Sequence, residues 1–173
     1  MASDFRLPTD RRTLVVEGMR FASHPKIMGI INATDDSFFE GSRIMDSEAV
    51  QKGIAMWEAG ATWVDVGGES TRPGADPVDE VMELQRVIPI IEGLREARPD
   101  GLISIDTRHA SVARQALKAG ADMVNDVSGL RDPEMVEVVL EAGCAVCVMH
   151  MQGEPGTMQA NPSYVDVNEE VAT

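Results

Sequence analysis

The sequence predicts an α/β fold with a parallel sheet, and three observations carry that prediction. Apolar runs short enough to be strands alternate with helix-length segments. An Ala-Gly pair leads into a β-branched or apolar run three times over, at Ala59-Gly60, Ala119-Gly120 and Ala142-Gly143. A polar or charged side chain stands at the end of every apolar run. The Ala-Gly pairs read as helix-to-strand joints, because Gly relieves the left-handed conformation at a helix end. No linker or low-complexity segment divides the 173 residues, so a single domain is expected over 1–173.

Taken in order, Leu14-Val15-Val16 and Met19-Arg20-Phe21 flank Glu17-Gly18 and read as a small β-hairpin spanning about 13–22. Parallel-strand candidates end at Ile31, Val66, Ile105, Val124 and Met149. Between them, Asp46 or Ser47 can cap a helix running to Ala59, with Val50, Ile54 and Trp57 at helical spacing. Asp79 can cap Glu80 to Ala97, where Val81, Leu84, Ile88 and Ile91 form one apolar stripe and Pro89 predicts a kink or break. Ser111 to Ala119 is a shorter helix. Asp132-Pro133 supplies an N-cap and first-turn pair for the helix to Ala142.

The chain is 43% hydrophobic, 4% aromatic and carries a net charge of −14, which argues against nucleic acid or an anionic membrane surface as partner. Any anion site must therefore be made locally, from a few Arg or Lys and backbone N–H groups. Met1 to Arg12 lacks the apolar core of a signal peptide, and no run approaches the ~18 apolar residues of a membrane span. A soluble, cytoplasmic protein is the expectation. Cys144 and Cys147 have metal-like spacing, with His150 close by. They sit against an apolar strand run, where residues three apart face opposite ways, so two buried structural thiols are expected.

The chemistry is carried by the polar residues at the ends of these runs. Asn32 ends the first, and the second contains Asp65 and leads into Gly67-Gly68-Glu69-Ser70-Thr71-Arg72-Pro73-Gly74. Asp106, Asn125 and His150 come after the others. Polar groups at five successive strand ends are what an α/β barrel places on its catalytic face, or an open sheet in its crevice. Asn125 offers donor and acceptor to a heterocycle edge. Asp106 can accept from ring N–H groups or face positive charge, Asn32 suits a hard cation such as Mg²⁺, and Thr71 and Arg72 suit phosphate oxygens.

These residues stand in blocks that resemble the dihydropteroate synthases of the pterin-binding family. The blocks are Met28 to Phe38, Asp65 to Gly74, Ser104-Ile105-Asp106-Thr107, Asn125-Asp126-Val127 and Val148 to Gly153, and the resemblance runs from about Arg12 to the end. It implies a (β/α)8 barrel of TIM type that joins 6-hydroxymethyl-7,8-dihydropterin diphosphate to 4-aminobenzoate in folate biosynthesis, releasing pyrophosphate. It implies that Asp106 and Asn125 hold the pterin, that Met149 packs on the ring and that Asn32 ligates Mg²⁺ with the diphosphate. Thr71 and Arg72 would lie in a mobile second loop, and Thr34 to Gly41 would form a first loop closing with it. The implied reaction is dissociative: pyrophosphate departs with the help of Mg²⁺, and the aniline nitrogen traps a pterin cation that Asp106 stabilises.

Two residues depart from the family's pattern, Asp35 where Pro is usual and Ser42 where Gly is usual. They imply a looser first loop, and weaker diphosphate affinity unless Asp35 faces solvent. Length departs further, because a barrel of this kind takes about 250 residues. Five strands are countable here. The family's sixth-strand Asp, seventh-strand Ser-Arg-Lys segment and eighth-strand Arg-x-His are not among these residues. The expectation is a barrel truncated after strand five, with the 173-residue chain inactive by itself. The family is typically dimeric through later helices, so that dimer is not expected of this chain. Two other readings stand beside it: a pterin-dependent methyltransferase, which the Thr71-Arg72 phosphate segment disfavours, and a non-catalytic half-barrel that pairs with another chain.

Overall fold

The computed structural model describes residues 5–6, 15–16, 26–33, 42–69, 78–154 and 156–172. Two short strands, β1 (Phe5–Arg6) and β2 (Val15–Val16), pair antiparallel. Thus Val15-Val16 is a strand, but its partner here is Phe5-Arg6. Met19-Arg20-Phe21, the partner expected from the sequence, lies outside the described residues.

The remaining elements alternate: β3 (Met28–Asn32), α1 (Ser42–Glu58), β4 (Trp63–Gly67), α2 (Glu80–Ala97), β5 (Leu102–Asp106), α3 (Ala110–Ala119), β6 (Met123–Asp126), α4 (Pro133–Ala142), β7 (Ala145–Val148) and a final short α5 (Val167–Ala172). The five longer strands form one sheet in the order β3-β4-β5-β6-β7, and every neighbouring pair is parallel. All five strands expected from the sequence are present, each beside the next in the chain. Glycine ends the expected joints with positive φ, 101° at Gly60, 121° at Gly120 and 58° at Gly143.

Alternation along the strands sorts the side chains onto two faces. On one face, Val64, Val66, Ile103, Ile105 and Val124 are fully buried and join Val87, Ile90, Ile91 and Leu94 of α2, Val112, Ala113 and Ala116 of α3, and Met135 and Val138 of α4. The other face begins, at the strands' N-terminal ends, with a second apolar cluster of Met28, Trp63, Leu102, Met123 and Ala145. Among the described residues, no helix is long and apolar enough to cross a membrane.

Several local expectations need correction. Helix α1 starts at Ser42, so Asp46 and Ser47 lie inside it rather than capping it. No Gly or Pro between 42 and 47 stops the helix from extending past the local cap signal. Asp79 caps α2 as expected, its carboxylate accepting from Met82 N–H at 2.8 Å. The stripe is rotated, however: Val81 is 64% exposed, and the buried face runs through Glu83, Val87, Ile90, Ile91 and Leu94. Pro89 does not break the helix. It faces solvent, where water can satisfy the carbonyl that loses its N–H partner. The cysteines are not both buried either. Cys144 precedes β7 and is half-buried, whereas Cys147 within β7 is exposed, because it lies on the face that the helices do not cover.

Candidate functional site

Strand register assembles the site on that uncovered face. The uppermost row, at the strands' C-terminal ends, reads Asn32, Gly67, Asp106, Asn125, Cys147 from β3 to β7. Two residues lower, Ile30, Asp65, Ser104, Met123 and Ala145 form the next row. The polar residues of both rows therefore stand above an apolar floor of Met28, Trp63, Leu102, Met123 and Ala145. The parity of the strands dictates this, since moving two residues along a strand keeps a side chain on the same face.

Asp106 and Asn125 are direct neighbours in this row. Asp106 leans against Gly67, where an added Cβ would meet its Cβ and Oδ2 at 3.4 Å. Asn125 Nδ2 donates to Asp65 Oδ2 at 3.1 Å, reaching from β6 across β5 to β4. Asp65 is 2% exposed. Burial pushes its pKa up, and the Ser104 hydroxyl and Asn125 amide beside it act to lower it. Even so, Asp65 Oδ1 and Ser104 Oγ make no hydrogen bond of ordinary geometry among the described residues. Burial, followed by the negative charges of Asp65, Glu83, Asp126 and Glu69, pushes Asp106 up to about 7. A positive charge placed beside Asp106 would oppose both causes and favour its ionised form.

A second layer of charge stands behind this row. Glu69, just past β4, accepts from Arg108 Nε at 2.8 Å and Nη2 at 3.0 Å, and from Val78 N–H at 3.1 Å. Burial pushes Glu69 up, but the Arg108 and Val78 hydrogen bonds outweigh it and leave the carboxyl below its ordinary range. Glu83 is wholly buried in α2, and its Oε2 lies 2.7 Å from His109 Nδ1. Burial raises its pKa, with His109 and Thr107 opposing. Gly68 crosses directly over this helix, where a Cβ would meet Glu83 Cγ and Val87 Cγ1 at 2.9 Å. That close approach explains the second glycine of the pair.

The structure thus brings Asn32, Asp106 and Asn125 together in one row. Met149 comes just after β7, half-buried, its N–H donating to Asp126 O at 3.2 Å. Thr71 and Arg72 lie outside the described residues. His150 is exposed and pairs with Tyr164 at 3.2 Å. Among the described residues, no cluster of three His, Cys, Asp or Glu could hold a metal. Asn32 is an exposed neutral oxygen donor, and it fits Mg²⁺ in the way that ion commonly binds, through few protein oxygens plus water and substrate phosphate. Sequence reasoning missed Glu83, Arg108, His109, Asp126 and Cys147. For Arg108 and His109 the signal was their place, immediately after the Asp106-Thr107 strand end.

A parallel α/β sheet with its polar row at the strand C-terminal ends belongs to the class of α/β proteins, barrels and open sheets alike, that carry their sites at that end. Comparison with known proteins narrows this. The family pattern described as pterin binding enzyme matches residues 28–173. Dihydropteroate synthase of Escherichia coli is 49% identical over 152 residues, covering 86% of this chain and 53% of that relative. Two solved structures align closely: dihydropteroate synthase of Yersinia pestis with a sulfonamide drug complex (TM-score 0.78, 38% identity, 97% of this chain, 59% of that one), and that of Xanthomonas albilineans with 4-aminobenzoic acid (TM-score 0.76, 40% identity, 96% and 56%). The chain belongs to the dihydropteroate synthase family of pterin-binding enzymes. It spans about half the length of the curated relatives it matches.

Proposed function

We propose that this chain supplies the pterin-diphosphate part of a dihydropteroate synthase active site, joining 6-hydroxymethyl-7,8-dihydropterin diphosphate to 4-aminobenzoate. The observation that carries the reading is the adjacency of Asp106 and Asn125 in one row above an apolar floor. Asn125 and Asp106 hold the heterocycle by its N–H groups, and Met149 packs on the ring. The negative potential around Asp106 stabilises the pterin cation that forms as pyrophosphate departs, and a cation there draws Asp106 back to its ionised form. Thr71 and Arg72 bind phosphate oxygens. Asn32 would hold Mg²⁺ against the diphosphate, where the ion neutralises departing charge. Asp106 acts electrostatically and forms no covalent bond.

The edges of the sheet bear on how the site is completed. Among the described residues β3 and β7 each pair on one side only, and Ile30, on the uncovered face, is 54% exposed. Further strands, on the same polypeptide or on another, would close the barrel and bring the rest of the aminobenzoate site. The test is product formation from both substrates by the 173-residue chain alone and by the chain mixed with the C-terminal remainder of the Escherichia coli relative. The expected result is turnover in the mixture and none from the chain alone. Tight binding of methyltetrahydrofolate with no binding of the pterin diphosphate would replace this reading with a methyltransferase.

A further inference from the structure

We propose that Asp65 is a positioning residue: by accepting a hydrogen bond from Asn125 Nδ2, its carboxylate turns Asn125 Oδ1 toward the open cavity, so that the site selects heterocycles whose matching edge carries an N–H donor. This rests on the pterin reading of the row and deepens it.

A carboxylate only accepts, whereas an amide offers two donors on one side and an acceptor on the other. An amide alone above the apolar floor could present either edge, with equal freedom to bind a donor or an acceptor. Asp65 removes that freedom. Its Oδ2 lies 3.1 Å from Asn125 Nδ2, one row down and two strands away. Asp65 is buried, so water does not compete for the bond. With Nδ2 held downward, the planar amide has its oxygen on the upper side. Its neighbour in the row, Asp106, is also an oxygen acceptor. Two adjacent acceptors suit a pyrimidine edge rich in N–H groups, such as the amino-pyrimidinone of a pterin, and reject one that presents carbonyl oxygens.

Asp65 has a second feature consistent with this role. Its Oδ1, with Ser104 Oγ beside it, is buried and lacks a hydrogen-bond partner of ordinary geometry among the described residues. The orphaned atoms lie directly beneath the row, on the face where the ligand would sit.

The first test needs no ligand. In the 173-residue chain, the side-chain amide protons of Asn125 are followed by NMR. One is expected to exchange slowly with solvent and to move as Asp65 titrates. Exchange as fast as that of the exposed Asn168 amide would overturn the proposal. The second test measures binding of 6-hydroxymethylpterin and of two analogues, one lacking the 2-amino group and one methylated at N3. The parent chain is expected to lose about tenfold in affinity for at least one analogue, the usual scale for a lost buried hydrogen bond. Asp65→Val should erase that discrimination, chiefly by weakening the pterin. Asp65→Asn retains an acceptor and should restore part of it. A purely structural Asp65 would instead weaken all three compounds alike in Asp65→Val, and that result overturns the proposal. If the parent binds none of them, the pterin reading fails, while the exchange measurement still decides the geometry.

Discussion

At the N-terminal ends of the sheet, Arg95 is 9% exposed and donates to the carbonyls of Pro99, Gly101 and Gly120 and to Asp122. Asp122 in turn accepts from Ile103 N–H at 2.9 Å, tying the ends of α2, β5 and β6 together. At the C-terminal ends, about 10 to 15 Å away by the rise of these strands, buried charge is handled in the opposite way. Asp65 Oδ1, Glu83 Oε1 and Ser104 Oγ make no hydrogen bond of ordinary geometry among the described residues, and burial with four other carboxylates pushes Asp106 up to about 7. One end uses its charges to join elements; the other, besides its pairs to Arg108 and His109, gathers further carboxylates around Asp106. Net stability is small compared with such terms, so the contrast separates a part of the molecule that holds the fold from a part that holds a ligand.

The largest way to break the comparison is at the lower end. Arg95→Ala takes the guanidinium away from buried Asp122 and leaves four carbonyl bonds unmade. It should cost about 3–5 kcal/mol in urea unfolding. A loss near zero would mean the lower network does not hold the fold. At the upper end the sign reverses. Asp106 has a folded-state pKa raised to about 7 from 3.8, so the folded chain holds a proton that the unfolded chain releases. Its contribution is fully present below pH 3.8 and is lost as pH rises through about 7. Asp106→Asn removes the repulsion. It should raise Tm at pH 8 by about 2–4 °C, the change expected from roughly 1 kcal/mol in a domain of this size. The gain should vanish at about pH 3.5, where the carboxyl is protonated in both states. The same substitution should lower kcat in the closed barrel by about 10²–10³, the usual scale for losing an electrostatic stabiliser.

Glu69→Gln sharpens the comparison between these extremes. Glu69 lies at the upper end but is paired as the lower charges are, bidentate to Arg108. Its depressed pKa means that its stabilisation is present above 4.5 and lost as pH falls through the lower folded value. The substitution should cost about 1 kcal/mol at pH 7, since the pair is only partly buried. Little of that cost should remain in acid. A cost independent of pH would assign the effect to packing instead.

Much of this was legible in the sequence because the signals were local. Gly60, Gly120 and Gly143 announced the joints, Asp79 and Asp132 announced helix starts, and each apolar run ended at its polar residue. Asn32, Asp106 and Asn125 could be placed in one row because parallel register aligns the ends of successive strands. The hidden part depended on long-range approach. The carboxyl of Glu83 is buried in a helix whose apolar stripe, read alone, pointed elsewhere. Its burial reflects Gly68 crossing α2, which periodicity does not encode. Asp65 read as a carboxylate near a strand end, but its bond to Asn125 spans 60 residues and two strands. The cysteines misled because strand alternation predicts opposite faces without saying which face is covered.

Cys147 gives the smallest effect and the finest probe of the upper end. It closes the row beside Asn125 and is exposed, so Cys147→Ser should change stability by less than about 0.5 kcal/mol. Its thiol is pushed up by burial first and then by the charges of Asp65 and Asp106. Only the thiolate reacts with iodoacetamide. Alkylation at pH 8 should therefore be slower than for free cysteine, and it should quicken by about two- to threefold in Asp106→Asn, where one repelling charge is gone. Arg95→Ala is unsuitable as a control because it loosens the fold. Glu69→Gln serves better, since its charge lies farther back and does not figure among the causes acting on this thiol. Equal rates in Asp106→Asn and the parent chain would show that the negative potential of the upper row does not reach β7. That result would confine the charged half of the contrast to β4, β5 and β6.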